Sequence, residues 1–473
     1  MALETPIHIL LVSYPAQGHV NPMLRLGKHL AAKGCFVTFS TAATIGKLMH
    51  AINETSQTSF GEGFLSFDFL DDGLGEACLG RLSVYSPQLE RVGKELISQM
   101  VTKYAKEKRP VSCIIYDYFL SWVNHAAIEH AIPCAAFWIP SAATFTACHH
   151  YFKKLSPFPT HSNPYINLQL PDIVLKYNEI PDFLHPFGLI PFVKTLTIKQ
   201  FENLSNTFCV LMDTFEELEQ THLNYLSQFY LVRPVGPLFK NPLELTNNNN
   251  IRGDFFKSDD CIEWLNSRSH GSVVYISFGT IVPLSVEQIG EFAHGLLESE
   301  VSFLWVLKPH EREEAVKGNV MPERFFERTS ERGKVVQWCP QEEVLVHPSV
   351  TCFLSHCGWN STMEALACGV PVLTFAQWGD LVTNAKFLVD VYGVGIRVLH
   401  NEFKSKVVVT RDDMKRVFVE AMVGEKAKEL KKNALKWKSA AEAARVKGGS
   451  SDRNLDAFVE DVKKLIIMKS SSQ

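Results

Sequence analysis

Nowhere in the 473 residues does an apolar run approach the roughly 20 residues that a membrane-spanning helix requires, so a spanning protein is not expected. Met1 to Pro6 carries Glu4 and no basic residue, and the apolar run Ile7 to Val12 is too short for a secretion signal. The 11 cysteines are odd in number, contain no CxxC pair and often sit in apolar runs such as Val111-Ser112-Cys113-Ile114-Ile115. That usage excludes a disulfide framework and fits small core thiols in a reducing, cytoplasmic compartment. No GxGxxG follows the first apolar run, which removes the fingerprint of a nicotinamide dehydrogenase. Charge of one sign is also missing: 47 Lys and Arg against 51 Asp and Glu leave a formal net charge of −4. Nucleic acid and anionic membranes therefore have no electrostatic claim on the chain, and a small-molecule partner is expected.

What is present is enough chain for more than one core, with 46% hydrophobic and 21% charged residues and ordinary glycine and proline. Short apolar runs alternate with helical patterns. Expected strands are Ile7 to Tyr14, Cys35 to Thr41, Phe64 to Phe69, Ser112 to Asp117 and Cys134 to Trp138, with helices at Met23 to Lys33 and Gln88 to Lys106. Continuous apolar strands separated by helices predict a parallel sheet covered on both faces. Residues 155 to 190 are Pro-rich and aperiodic, and read as a long irregular excursion. Strand and helix resume at Phe208 to Gln220. An Asn-rich stretch, Thr246 to Asn250, marks a linker at 244–258 between an N-terminal domain, 1–243, and a second βα alternation, 259–455; residues 456–473 are read as a closing helix and tail. In that second half strands are expected at Ser272 to Ser277, Phe303 to Leu307, Lys334 to Gln337, Thr351 to Ser355 and Val370 to Phe375, with helices at Val286 to Glu298 and Ser361 to Cys368. The fold class is thus α/β, two doubly wound domains facing across a ligand cleft at the carboxyl ends of their strands.

Two constellations carry chemistry. The first strand runs into Gln17-Gly18-His19-Val20-Asn21-Pro22, which places His19 on a loop at a strand's carboxyl end, and Asp117 closes the fourth strand. Taken singly, His19 is a polar loop residue and Asp117 an N-cap. If the two strands are neighbours, the pair is a general base with its tautomer held by a carboxylate. The second constellation extends from Trp338 to Leu381. Gly358 permits a tight turn after a strand, Asn360 and Ser361 open a helix whose N-terminal amides suit phosphate oxygens, and His356 adds a donor. Glu364 completes either a capping box with Ser361 or a carboxylate for ribose hydroxyls. Trp338 and Trp359 are core aromatics or a stacking platform, and Asp380 is a surface cap or a sugar acceptor.

The 44 residues from Trp338 to Leu381, with WxPQ, HCGWNS, Glu, GVP and WGD in register, resemble the donor-binding box of plant UDP-dependent glycosyltransferases. The likeness extends to QGHVNP at Gln17 to Pro22, VVYISFGT at Val273 to Thr280 and GGSSDRN at Gly448 to Asn454, and is nearest to the branch of acyl-glucose-forming and limonoid glucosyltransferases. The resemblance implies a GT-B architecture, a UDP-sugar co-substrate and no metal or other bound cofactor. It implies His19 as base and Asp117 as its partner; Trp338 on uracil; Glu364 on the ribose; Gly18, Ser277, Gly279, Thr280, Cys339, Gln341, His356, Asn360 and Ser361 around nucleotide and diphosphate; and Trp359, Asp380 and Leu381 at the sugar. Two departures qualify it. Leu381 stands where glucose-using members usually carry Gln, and it cannot hydrogen-bond a hydroxyl. Asp117 stands where carboxylate-glucosylating members often carry Asn. A phenol near pKa 10 must lose a proton during attack whereas a carboxylic acid is already ionised. A small phenolic acceptor is therefore expected, at oxygen or at an activated ring carbon, with ester formation third. An inactive nucleotide-sugar binding protein is the alternative of a different class.

Overall fold

The computed structural model describes residues 6–52, 57–73, 75, 82–239, 259–280, 282–398 and 408–471; the expected linker at 244–258 lies outside them. The N-terminal half holds β1 (His8–Val12), β2 (Phe36–Ser40), β3 (Gln57–Phe60), β4 (Gly63–Phe67), β5 (Cys113–Asp117), β6 (Cys134–Trp138), a small hairpin of β7 (Leu168–Gln169) and β8 (Val174–Leu175), then β9 (Cys209–Met212) and β10 (Val232–Pro234). Its main sheet runs β10-β9-β6-β5-β1-β2-β4-β3, parallel throughout except at the β3–β4 edge. The C-terminal half holds β11 (Val273–Ser277), β12 (Ser302–Val306), β13 (Gly333–Val336), β14 (Val350–Ser355), β15 (Val372–Thr374) and β16 (Gly395–Arg397), ordered β13-β12-β11-β14-β15-β16.

The central strands β1, β5, β6 and β11 are buried at every residue, which is why their sequences are apolar without alternation. In each sheet the strand order reverses once, between β1 and β5 and between β11 and β14. Helices diverge to opposite faces at such a point and leave a crevice beyond the strand ends, where doubly wound folds bind ligands.

Three expectations are corrected. The segment Gln17–Pro22 is not a loop: the helix starts at Gln17 and runs to Ala32, with Pro22 inside it. The expected strand Phe64 to Phe69 stops at Phe67 and pairs antiparallel with β3, an edge strand too polar to stand out. The boundary at 455/456 falls inside a helix, Ser450–Ser471, that returns to the N-terminal half. There Phe458 stacks on Phe208 at 5.7 Å, Asp461 pairs with Arg233, and Asp452 and Asp456 pair with Lys33 at 2.5 and 2.7 Å. The glycines at 448 and 449 separate this helix from the preceding one, Gly424–Arg445. Among the described residues no helix is long and apolar enough to cross a membrane.

Candidate active site

One cavity of 340 Å³ lies between the halves at both reversal points, and every expected site residue except Asp117 lines it. Asp117 sits directly behind. Neighbouring strands β1 and β5 pair Val12 with Tyr116, so the helix after β1 carries His19 over the end of β5. His19 Nδ1 lies 2.8 Å from Asp117 Oδ2. A carboxylate only accepts, so Nδ1 holds the proton and Nε2 offers its lone pair. Asp117 Oδ1 meanwhile accepts the Phe119 N–H at 2.9 Å, so one carboxylate both holds the turn after β5 and meets the imidazole. The imidazole stacks on Tyr118 at 5.6 Å and contacts Phe119 and Tyr14 at 4.9 and 5.2 Å. Burial pushes the Tyr14 hydroxyl up to about 12, so it stays a neutral donor beside the base.

The acceptor side continues through Trp138, Ile139, Thr144, Phe183, Val193 and Thr197. Among the described lining residues from 118 to 197 there is no basic side chain. Phe119 and Trp138 line the cavity. Phe145 is core: it is fully buried behind Trp138, at 4.8 Å, and packs on Phe201. Of the excursion at 155–190 only Phe183 reaches the cavity.

On the donor side β11 and β14 pair Ser277 with Ser355, bringing the Ser277–Thr280 turn beside His356. The turn after β14 is made by Cys357, whose φ of +67° lies in the left-handed region; Gly358 has φ −58° and serves another purpose. A Cβ on Gly358 would lie 2.5 Å from His356 Nε2, and one on Gly279 2.9 Å from its Cε1, so the two glycines leave the slot that holds this ring. Burial lowers His356 to about 4, which makes it a neutral imidazole. Among the described residues its Nδ1 is buried without a partner, as is Asn360 Oδ1. The following helix, Trp359–Cys368, has Gly358 at its N-cap and no side chain capping it, which leaves first-turn amides for an anion.

The helix begins at Trp359, so Ser361 is not its N-cap and the capping-box reading of Glu364 fails. Glu364 instead accepts from Gln341 Nε2 at 2.6 Å and Arg25 at 2.5 Å. Gln341 also donates to Ser361 Oγ at 2.9 Å and accepts from Tyr275 at 3.0 Å. Burial raises the Glu364 carboxyl, and Arg25 opposes that rise. Trp338 and Cys339 line the same end. Trp359 is buried, its indole N–H donating to Asp213 O across the cleft at 2.8 Å. Asp380 accepts from Asn384 at 3.0 Å, and buried Leu381 faces the cavity with no polar atom.

Sequence reasoning missed Arg25. It lies in the first helix of the N-terminal half yet pairs with Glu342 and Glu364 of the other. The signal was there: Gly18, Asn21, Arg25 and Lys28 recur at helical spacing and all line the cavity. Reading Gln17–Pro22 as a loop concealed that face. Pro22 adds a second crossing contact. Without an N–H it leaves Gly18 O unbonded within the helix, and that oxygen accepts from Asn360 Nδ2 at 2.7 Å.

Two Rossmann-like sheets, an imidazole paired with a carboxylate on one, and an uncapped helix beside a buried carboxylate on the other are the arrangement of a glycosyltransferase of GT-B architecture. The sequence profile described as UDP-glucoronosyl and UDP-glucosyl transferase matches residues 92–436. The chain belongs to that family and is a UDP-dependent glycosyltransferase of its acyl-glucose and limonoid branch. It is 50% identical to a gallate 1-beta-glucosyltransferase of Quercus robur, covering 98% of this chain and 91% of the relative. It is 48% identical to a limonoid UDP-glucosyltransferase of Citrus unshiu, again over 98% and 91%. A crystal structure of Os79 from O. sativa in complex with UDP superposes with a TM-score of 0.83 at 27% identity, covering 96% of this chain and 100% of that one.

Proposed function

We propose that the enzyme transfers glucose from UDP-glucose to a small phenolic acceptor with inversion, His19 acting as base and Asp117 steadying the imidazolium. The observation that carries this reading is the 2.8 Å His19–Asp117 contact inside an aromatic cage whose acceptor wall lacks a basic side chain. Such a wall suits a neutral phenol that loses its proton during attack, and the stretch from 118 to 197 brings no cation to a carboxylate anion. The acceptor oxygen attacks the anomeric carbon opposite UDP, and the C–O bond to UDP breaks as the new bond forms. Uracil would stack on Trp338 and the ribose hydroxyls would meet Glu364. The diphosphate would lie at the Trp359–Cys368 N-terminus with Ser277, Gly279, Thr280, His356, Asn360 and Ser361. Charge on the departing UDP would fall to the helix dipole and these donors, with no metal in the scheme. The sugar would face Trp359, Asp380 and Leu381. Among the described residues ten cysteines, all buried and unpaired, fit a cytoplasmic enzyme.

The same deprotonation makes a ring carbon beside the phenolate nucleophilic, so a C-glycoside is the second outcome of this site. Ester formation is a third, favoured by the relative named for gallate, a molecule that carries both a carboxylate and phenolic hydroxyls. The test is mass spectrometry of products from UDP-glucose with a polyhydroxylated aromatic ketone, a flavonoid and a benzoic acid, followed by hydrolysis. A product cleaved by acid and stable to alkali marks an O-glycoside, and resistance to both marks a C-glycoside. An alkali-labile product from the benzoic acid alone overturns the phenolic reading. Binding of UDP-glucose without any product supports the inactive alternative.

A further inference from the structure

The excursion at 155–190 belongs to the N-terminal half in sequence, yet its polar atoms reach the donor half. Asp182 N–H donates to Gly379 O at 2.9 Å, and Asp182 Oδ1 accepts the Gly379 N–H at 2.5 Å. Its other oxygen accepts the Leu189 N–H at 3.0 Å, which ties the carboxylate to its own segment. Three residues earlier Glu179 O accepts from Thr383 Oγ1 at 2.7 Å, while the Glu179 carboxylate faces Lys386 at 3.3 Å and Arg397 at 3.7 Å. The first set of contacts falls on the turn Gly379–Leu381, the second on the helix that follows it and on β16.

Gly379 has φ +69° and no side chain, so its order comes from whatever holds its backbone. One residue, Asp182, holds both its N–H and its C=O. The turn presents Asp380 and Leu381 to the cavity, and the neighbour Phe183 lines the acceptor side. The nucleotide-facing groups Trp338, His356 and Glu364 stand on other elements that Asp182 does not touch.

We propose that Asp182 is a positioning residue that seats the Gly379–Leu381 turn against the transferred sugar and thereby sets donor KM and sugar preference. This rests on the reading of Asp380 and Leu381 as sugar-facing. The experiment compares Asp182→Ala and Asp182→Asn with the unaltered full chain, measuring KM for UDP-glucose and UDP-xylose and the Kd of UDP by calorimetry. Asn keeps an oxygen to accept the Gly379 N–H and Ala does not. In Asp182→Ala, KM for UDP-glucose rises about tenfold, the scale of one charge-assisted hydrogen bond, the preference for UDP-glucose over UDP-xylose narrows, and UDP binds as before. Asp182→Asn restores most of the KM and the preference. An unmoved KM, a parallel loss of UDP affinity, or an Asn variant as impaired as Ala overturns the proposal. Those results leave the donor reading standing, whereas an unaltered protein that binds UDP and turns over neither sugar removes both.

Discussion

The two halves share one plan and differ in how their sites are written. Each sheet reverses its strand order once and places its chemistry at that reversal, with β1 and β5 carrying His19 and Asp117, and β11 and β14 carrying the Ser277 turn and His356. On the donor side the cavity-lining groups are backbone amides, small residues and a few fixed polar side chains, nearly all in one stretch of 44 residues and in the Ser277–Thr280 turn. On the acceptor side His19 and Asp117 are 98 residues apart, and the walls are aromatic and aliphatic side chains from scattered elements. A diphosphate and a ribose demand particular donors at particular places, so recognition of them constrains residue types locally. An apolar pocket demands shape, which many residues supply.

The largest test of the comparison is to remove chemistry from one half and look for a response in the other. His19→Ala lowers transfer by roughly 10²- to 10⁴-fold, the range of a positioned general base, while the Kd of UDP stays within twofold by calorimetry. Equal loss of both would mean that His19 belongs to the donor site. Arg25→Met gives the converse. It leaves Glu364, 5% exposed, without its cation, and a buried carboxylate stripped of its partner costs about 3–5 kcal/mol. The cost appears as a lower denaturant midpoint and weaker UDP binding, although Arg25 stands on the acceptor half. A variant with unchanged UDP affinity would show that the bridge only fastens the domains.

Much of the donor side was legible in the sequence because WxPQ, HCGWNS and WGD are local. The fold class was legible because β1, β5 and β11 are buried on both faces and so are apolar except at His8, Asp117 and Ser277. Contacts that cross the cleft were not. Nothing local marks Arg25 as the partner of Glu364, or Asp182 as the holder of Gly379, because each pair is more than 190 residues apart. Gly358 was assigned to the turn because glycine usually serves there, and only the structure shows that Cys357 takes the left-handed position while Gly358 clears space for His356. The polar edge strand β3 escaped notice because its sequence, Gln57–Phe60, has no apolar face to bury.

Acid sharpens the comparison by a smaller amount. Burial lowers His8, His29 and His149 in the acceptor half and His356 in the donor half, each to about 4. Between pH 6.5 and 4 the unfolded chain therefore binds protons that these native imidazoles refuse, and stability falls as pH drops through that window. Asp213, raised to about 6 by burial, acts with the opposite sign and loses stability as pH rises from 4 to 6. Asp182, Glu219, Glu364 and Asp380 are raised by burial in the same sense, but His150, His185, His294 and His347 are lowered as well, so the imidazoles outnumber the raised carboxylates and the melting temperature is expected to decline from pH 6.5 toward 4. His8→Asn should flatten part of the decline without changing UDP affinity, since the His8 ring bonds only Arg109 O and Thr38, far from the donor groups.

The smallest expected effect separates the halves most cleanly. Leu381 is 6% exposed and forms part of the cavity wall, at the end proposed to hold the sugar, where a polar side chain would meet hydroxyls. Leu381→Gln adds one amide of similar length on a turn already held by Asp182, so the backbone need not move. A single neutral hydrogen bond is worth about 0.5–1.5 kcal/mol, which is roughly a two- to tenfold gain in kcat/KM for UDP-glucose over UDP-xylose. The acceptor KM should not change, because the acceptor walls from Tyr118 to Thr197 lie on the other half. A shift in acceptor KM with no shift in the donor ratio would place Leu381 among the acceptor walls and blur the division of labour between the two sheets.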